Sequence, residues 1–301
     1  MNTIVEKIKD LKNKRRAVIL AHNYQLPEVQ EIADYRGDSL ELARIAAKTD
    51  AKVIVYCGVD FMAETASILC PQATVLMADR SSTCPMSNML TVQQLKELKQ
   101  KHPKAVAIGY VNSSAGVKAE LDACCTSANA VAVVNAYKHA PEIIFVPDKY
   151  LADFVSKKTG RSLIIWNGFC PTHIRILPED IARQKKLHPR AKVLVHPECL
   201  PEVVAMADEV LSTSGMGAYA KKTDAPEMII ATEAGMVYRL EQDHPGKLFF
   251  PAADRAVCPN MKKVTIEKVE AALETLREEV RVPDDIRIRA RKALDRMLEL
   301  V

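Results

Sequence analysis

Cys-Pro closes a similar stretch three times in this sequence, at Cys84-Pro85, Cys170-Pro171 and Cys258-Pro259, with 86 and 88 residues between successive cysteines. The same period governs residues far upstream of each pair. Three apolar, strand-like runs, AVILAH, AVAIGY and KVLVH, end at His22, Tyr110 and His196, which lie 88 and 86 residues apart. Two residues beyond each end stand Tyr24, Asn112 and Glu198, and 17 residues beyond it stands a hydroxyl: Ser39, Ser127 or Thr213. A period held by residues of such different chemistry means a repeated structural unit. Three such units in one chain arrange most simply around a pseudo-threefold axis.

Each copy alternates short β-branched runs with helical patterns, which predicts an α/β fold: three pseudo-threefold-related αβα domains, each with a small, mostly parallel sheet, around a central site. The predicted strands are AVILAHN, KVIVYCG and TVLMADR, then AVAIGYVN, EIIFVPD and SLIIWNG, then KVLVHPE, EMIIATE and KLFFPAAD. Between the first two, EVQEIADYRGDSLELARIAAKTD reads as a helical pattern. The expected division is residues 1–88, 89–174 and 175–259 for the repeats and 260–301 for C-terminal helices packing on them. SNMLTVQQLKELKQKHPKA and THIRILPEDIARQKKLHPRAK read as helices joining the units, with no low-complexity spacer. VTIEKVEAALETLREEV and PDDIRIRARKALDRMLELV read as two closing helices, the second opened by a Pro-Asp start signal. In parallel α/β units, ligand-binding residues sit just beyond the carboxyl ends of strands, so the three periodic sets are expected to converge.

Charge and patterning narrow the partners. Lys and Arg number 42 against 38 Asp and Glu, scattered along helices instead of massed in blocks interleaved with aromatics. That pattern excludes nucleic acid and suits an anionic small molecule. No apolar run approaches the roughly 20 residues that cross a bilayer, so no membrane partner is expected. The sequence opens with MNTIVEKIKDLKNKRR, a charged amphipathic helix without a secretory signal, and a cytoplasmic, soluble protein is the expectation.

Eight cysteines in a reducing compartment are not disulfides by default. Cys57, Cys70, Cys124, Cys125 and Cys199 stand outside the period and read as packing residues. Cys84, Cys170 and Cys258 keep it, and three converging thiolates read as a metal site. Zinc is usually closed by four ligands, often from paired C-x-x-C motifs, whereas thiolates from separate units suit an iron-sulfur cluster. Three ligands to a cubane leave one iron open as a Lewis acid. Pro after each cysteine stiffens its turn. His22 and His196 are candidates through their register and His173 through its place three residues after Cys170, while His102, His139, His188 and His244 read as structural. Ser39, Ser127 and Thr213 fit helix caps, anion-binding hydroxyls, or both.

AHNYQ, DYRGDSLELA, GVDFMAETA, YVNSSA, CCTSANA, WNGFCPTH, HPEC, STSGM, TEAGMVYRL and CPNMK, in this order and over essentially the whole chain, resemble the quinolinate synthase family. The resemblance implies a [4Fe-4S] cluster on Cys84, Cys170 and Cys258. It also implies condensation of iminoaspartate with dihydroxyacetone phosphate to quinolinate, phosphate and water in NAD biosynthesis. Substrate contacts would fall to His22, Tyr24, Ser39, Tyr110, Asn112, Ser127, His173, His196, Glu198 and Thr213. Of these, Glu198 is expected as general base, Tyr110 as proton relay, and His196 and His22 as stabilisers of developing charge. Functional coupling to L-aspartate oxidase, the source of iminoaspartate, is a further implication. The C-x-x-C-x-x-C run of some members is reduced here to CPNMKK, so no disulfide switch of that kind is expected.

One Cys per pseudo-symmetric domain also resembles radical diphthamide-forming enzymes and the isoprenoid diphosphate reductase, both cluster enzymes of another class. A radical enzyme would bind S-adenosylmethionine at the open iron. An iron-sulfur sensor would need an output surface such as a basic DNA-reading helix, which the sequence lacks. A zinc-stabilised structural protein would leave the triplicated polar residues without a role.

Overall fold

The computed structural model describes residues 3–300 of the chain. It contains three four-stranded sheets of the same topology. In the first, β1 (Ala17–His22), β2 (Tyr35–Gly37), β3 (Val53–Cys57) and β4 (Thr74–Met77) run in the order β2-β1-β3-β4. In the second, β5 (Ala105–Tyr110), β6 (Ala123–Cys125), β7 (Glu142–Val146) and β8 (Ile164–Ile165) run β6-β5-β7-β8. In the third, β9 (Lys192–Val195), β10 (Glu209–Val210), β11 (Glu227–Ala231) and β12 (Leu248–Pro251) run β10-β9-β11-β12. Every pairing between these strands is parallel. All residues of β3 are buried, as a parallel strand covered by helices on both faces requires.

The nine predicted strands are present, and each sheet has one more. The additional strands are β2, β6 and β10, at most three residues long and all at a sheet edge, too short for alternation to register. An aspartate one residue before each of them sets the pairing. Asp34, Asp122 and Asp208 accept the main-chain N–H of Ile19, Ala107 and Val193 through a carboxylate oxygen at 2.7, 2.8 and 2.8 Å. Their own N–H groups donate back to the carbonyls of the same three residues at 3.0, 2.9 and 2.9 Å. The side chain thus extends the ladder by one rung, and the register repeats: Leu20↔Tyr35, Ile108↔Ala123 and Leu194↔Glu209.

This corrects the helical reading of residues 28–50. The segment is a short helix, Pro27–Ile32, then β2, then a second helix, Ser39–Lys48. Asp34 is drawn onto β1, and Asp38 starts the second helix by accepting from Leu40 and Glu41 N–H, both at 2.9 Å, while Glu41 reaches back to Asp38 N–H at 3.0 Å. That reciprocal pair satisfies donors a continuous helix would have consumed.

The joining segments contain the helices Val92–Lys101 and Pro178–Leu187, and the closing segments contain Ile266–Thr275 and Asp284–Glu299. Helix Ile266–Thr275 packs on Ile4–Arg15 and β3. The chain then turns through Leu276 at φ 54° and pairs antiparallel with β4, Met77 N–H on Glu278 O at 2.9 Å and Val280 N–H on Val75 O at 2.8 Å. An otherwise open sheet edge is covered. Helix Asp284–Glu299 buries Ala290, Ala293, Leu294 and Met297 against helices Asp60–Leu69 and Ala115–Lys118 and strand β6, spanning the first two units. No helix among the described residues is long and apolar enough to cross a membrane.

Candidate active site

A cavity of about 150 Å³ lies where the three units meet. The first unit lines it with His22, Tyr24, Ser39 and Cys84; the second with Tyr110, Asn112, Ser127 and Cys170; the third with His196, Glu198, Thr213 and Cys258. His173, from the turn following Cys170, completes the wall. The convergence follows from topology. Residues at the carboxyl ends of β1, β5 and β9 point inward because each opening strand is a central strand of its sheet and its crossover leads away over the sheet face.

The first and third units make the same local turn. His22 Nδ1 accepts the Tyr24 N–H at 3.2 Å, and His196 Nδ1 accepts the Glu198 N–H at 3.4 Å. With Nδ1 occupied as an acceptor, each neutral imidazole carries its proton on Nε2. At His196 this nitrogen lies 3.2 Å from Ser127 Oγ. Burial pushes both imidazoles down to about 3, with Lys262 adding to the effect at His22 and the neighbouring histidines at His196, so both are neutral near pH 7. The second unit places Tyr110 at the equivalent position, and its phenol donates across the cavity to Glu198 Oε1.

Glu198 is the hub. Its second oxygen lies 2.9 Å from His173 Nδ1. The other nitrogen of His173 is 2.8 Å from Thr232 Oγ1, which is 2.6 Å from the Tyr24 hydroxyl. Tyr24, Thr232, the His173 ring and the Glu198 carboxylate thus form one continuous hydrogen-bonded chain. Burial alone would raise the Glu198 carboxyl, but His173 outweighs it, with His196 and Tyr110 in support, and the group sits well below the ordinary carboxylate range. Burial first, then the Glu198 charge, keeps Tyr24 and Tyr110 protonated. His173 and His196 stack with ring centroids 4.6 Å apart.

Ser39 and Thr213 are not the caps of their helices. Asp38 caps the first, and Ser212 Oγ caps Thr213–Lys222 by accepting from Gly215 N–H at 3.2 Å. The hydroxyls occupy the first helical position and remain on the cavity wall, Thr213 accepting from Asn23 Nδ2 at 3.0 Å. Ser127 lies in the turn whose bonds are made by Thr126 and Asn129. Asn112 Oδ1 is buried with no hydrogen-bond partner among the described residues. An orphaned acceptor on a polar cavity wall is a place for a ligand donor.

The three periodic cysteines are partly exposed, whereas Cys57, Cys70, Cys124, Cys125 and Cys199 are fully buried as packing residues. Burial, reinforced by Glu198, Asp60 and Cys258, pushes the Cys84 thiol up to about 12, so binding a metal would have to displace its proton. Cys170 Sγ, His173 and Glu198 also form a compact S/N/O donor set, all within 4.8 Å of one another. Of the remaining histidines, His102 pairs with Glu142 at 3.3 Å, His188 stacks on Phe250 and His244 lies by Phe249, and neither these nor His139 lines the cavity.

Sequence reasoning missed Thr232, Asn23 and Arg175, the last being the sole Lys or Arg lining the cavity among the described residues. Thr232 and Asn23 have no counterpart at the repeat period, so the signal that found the others was silent there, whereas Arg175, five residues after Cys170, is matched by Lys263, five residues after Cys258.

Residues 6–299 match the family model described as Quinolinate synthetase A protein. The chain is 54% identical over 298 residues to a quinolinate synthase of Dehalococcoides mccartyi (strain CBDB1), covering 99% of this chain and 98% of that one. It is 52% identical over 295 residues to quinolinate synthase 1 of Methanosarcina acetivorans, covering 98% and 97%. A quinolinate synthase of Thermodesulfovibrio yellowstonii is 52% identical over 302 residues, covering 100% and 99%.

Proposed function

The chain belongs to the quinolinate synthase family, and on that premise we propose that it condenses iminoaspartate with dihydroxyacetone phosphate to quinolinate, releasing phosphate and water. The observation that carries this reading is a buried carboxylate, Glu198, held between a phenol and an imidazole in a cavity bordered by one cysteine from each of three units.

Cys84, Cys170 and Cys258 fit a [4Fe-4S] cluster: they are soft donors, one per unit, and no fourth cysteine among the described residues lines the cavity. When bound, such a cluster supplies an iron open to a substrate oxygen, a Lewis acid. A single ion on Cys170, His173 and Glu198 accounts for only one of the three cysteines and would take Glu198 out of proton transfer.

The protein's own groups divide the remaining work. Ser39, Ser127 and Thr213 offer hydroxyls to the carboxylates and phosphate of the substrates, Ser39 and Thr213 from the first turns of their helices. Asn112 Oδ1 accepts from a substrate donor. Glu198 removes a proton as carbon-carbon bond formation proceeds, and Tyr110, already donating to Oε1, relays it. His22 and His196, neutral and donating through Nε2, stabilise oxygens that gain negative charge. His173 and Tyr24 hold Glu198 and Thr232 in place.

The proposal includes the division into repeats 1–88, 89–174 and 175–259 with C-terminal helices 260–301, although residues 1, 2 and 301 lie outside the described ones. It includes functional coupling to L-aspartate oxidase and a cytoplasmic setting, where thiols stay reduced. The test is an anaerobic assay of cluster-loaded protein with iminoaspartate generated in situ and dihydroxyacetone phosphate. Quinolinate formation is expected; loaded protein that makes none, or that instead binds and cleaves S-adenosylmethionine, contradicts the reading.

A further inference from the structure

Each cysteine loop is docked onto the start of a helix by the same contact. The N–H groups of Asp60, Lys149 and Ala234 donate to the carbonyls of Ser82, Gly168 and Ala256, each at 2.9 Å, and each acceptor lies two residues before a cysteine. The close approach is enforced in the second unit by Gly168, where a Cβ would sit 2.4 Å from the Pro147 carbonyl.

A carboxylate stands at this junction in every unit. Asp60 Oδ1 accepts the Cys84 N–H at 3.1 Å, and Glu233 Oε1 accepts the Cys258 N–H at 3.1 Å. In the second unit Asp148 instead caps its own helix, Oδ1 accepting the Tyr150 and Leu151 N–H groups at 2.9 and 2.8 Å, and its Oδ2 is buried without a hydrogen-bond partner among the described residues. The three acids lie 38, 38 and 37 residues after His22, Tyr110 and His196, so they belong to the repeat. Glu233 is paired with a cation from elsewhere in the chain, Lys262 Nζ lying 3.0 Å from its Oε1.

We propose that Asp60 and Glu233 are positioning residues for Cys84 and Cys258, carboxylates that clamp the main-chain N–H of each and set the electrostatic environment of whatever the thiolates bind. The physical reason is twofold. A hydrogen bond to a charged acceptor fixes the backbone at the ligating residue more firmly than a neutral one. An N–H committed to a carboxylate is withheld from the sulfur, and the added negative charge nearby disfavours reduction of a bound cluster, whose potential follows sulfur hydrogen bonds and net charge. This inference rests on the reading of the cysteines as cluster ligands.

Asp60 is the simpler of the two to mutate, because its bonds are to two main-chain N–H groups, Phe61 at 2.8 Å and Cys84 at 3.1 Å, whereas Glu233 also pairs with Lys262. Asp60→Ala removes the acceptor; Asp60→Asn keeps an oxygen there and removes the charge. Amide hydrogen exchange is followed in metal-free protein across residues 81–89. In Asp60→Ala the Cys84 amide is expected to exchange about tenfold faster, the factor for losing one hydrogen bond, while Asp60→Asn stays near wild type. In cluster-loaded protein, Asp60→Asn is expected to shift the midpoint potential to a more positive value. Unchanged exchange in folded Asp60→Ala overturns the clamp. Should that variant fail to fold, the Asp60→Asn potential decides alone, and an unchanged value overturns the proposal. Wild-type protein that takes up no iron while the exchange difference persists sinks the ligand reading, and the proposed role falls with it.

Discussion

Glu198 Oε2 and His173 Nδ1 stand 2.9 Å apart with both side chains almost wholly buried, and Tyr110 occupies the carboxylate's other oxygen. A charge placed so deep is tolerated only while its partners remain, and removing a partner from a buried pair costs about 3–5 kcal/mol.

The same relationship fixes what Glu198→Gln does. The amide keeps the shape and loses the base, so quinolinate turnover is expected to fall by about 10²-fold or more. Visible absorbance and iron content should match wild type. Turnover within a few-fold of wild type would remove Glu198 from its proposed role.

Asp38 and Ser39 separate structure from binding. Asp38→Ala removes a helix cap and is expected to cost about 1 kcal/mol in chemical denaturation. Ser39→Ala should leave stability near wild type and raise KM for dihydroxyacetone phosphate. A large stability loss in Ser39→Ala with KM unchanged would return that hydroxyl to a structural role.

Asp122 tests the edge strands. Its carboxylate accepts the Ala107 N–H at 2.8 Å, and Asp122→Ala should lower stability by about 1 kcal/mol, with Asp122→Asn recovering most of it. Equal melting of all three proteins would mean that β6 holds its register without the aspartate.

Acid stability follows from His22 and His196. Burial holds both near 3 in the folded chain, helped by Lys262 and His173 at His22 and by His173 and His22 at His196, and opposed at each by Glu198. Free imidazole titrates near 6.5, so between about pH 3 and 6.5 the unfolded chain binds protons that the folded one refuses. Stability from these two groups is therefore complete above about pH 6.5 and is lost as pH falls, by about 1.4 kcal/mol per pH unit for each imidazole within that window. His22→Gln metal-free protein should show a flatter decline between pH 4 and 6.5. An identical slope would mean that His22 is protonated in the folded state.

Much of the architecture was legible because the repeat is written in residues that face the cavity. His22, Tyr110 and His196 marked the strand ends, and the offset to Ser39, Ser127 and Thr213 placed the hydroxyls. The edge strands β2, β6 and β10 were not legible, since two or three residues carry no alternation and their pairing depends on an aspartate side chain that reads as an ordinary loop residue. Thr232 was hidden for another reason: its role arises only from the meeting of His173 and Tyr24, which come from distant parts of the chain. Asp60, Asp148 and Glu233 kept the period, yet an acid at a helix start has a sufficient explanation in the helix dipole.

The account turns on what the three cysteines hold, and the most direct measurement is iron and acid-labile sulfide per chain in anaerobically purified protein, beside Cys84→Ser, Cys170→Ser and Cys258→Ser. The account predicts about four of each in wild type, lost together in every variant. One zinc per chain without sulfide, or full iron and sulfide in any of the three variants, would contradict it.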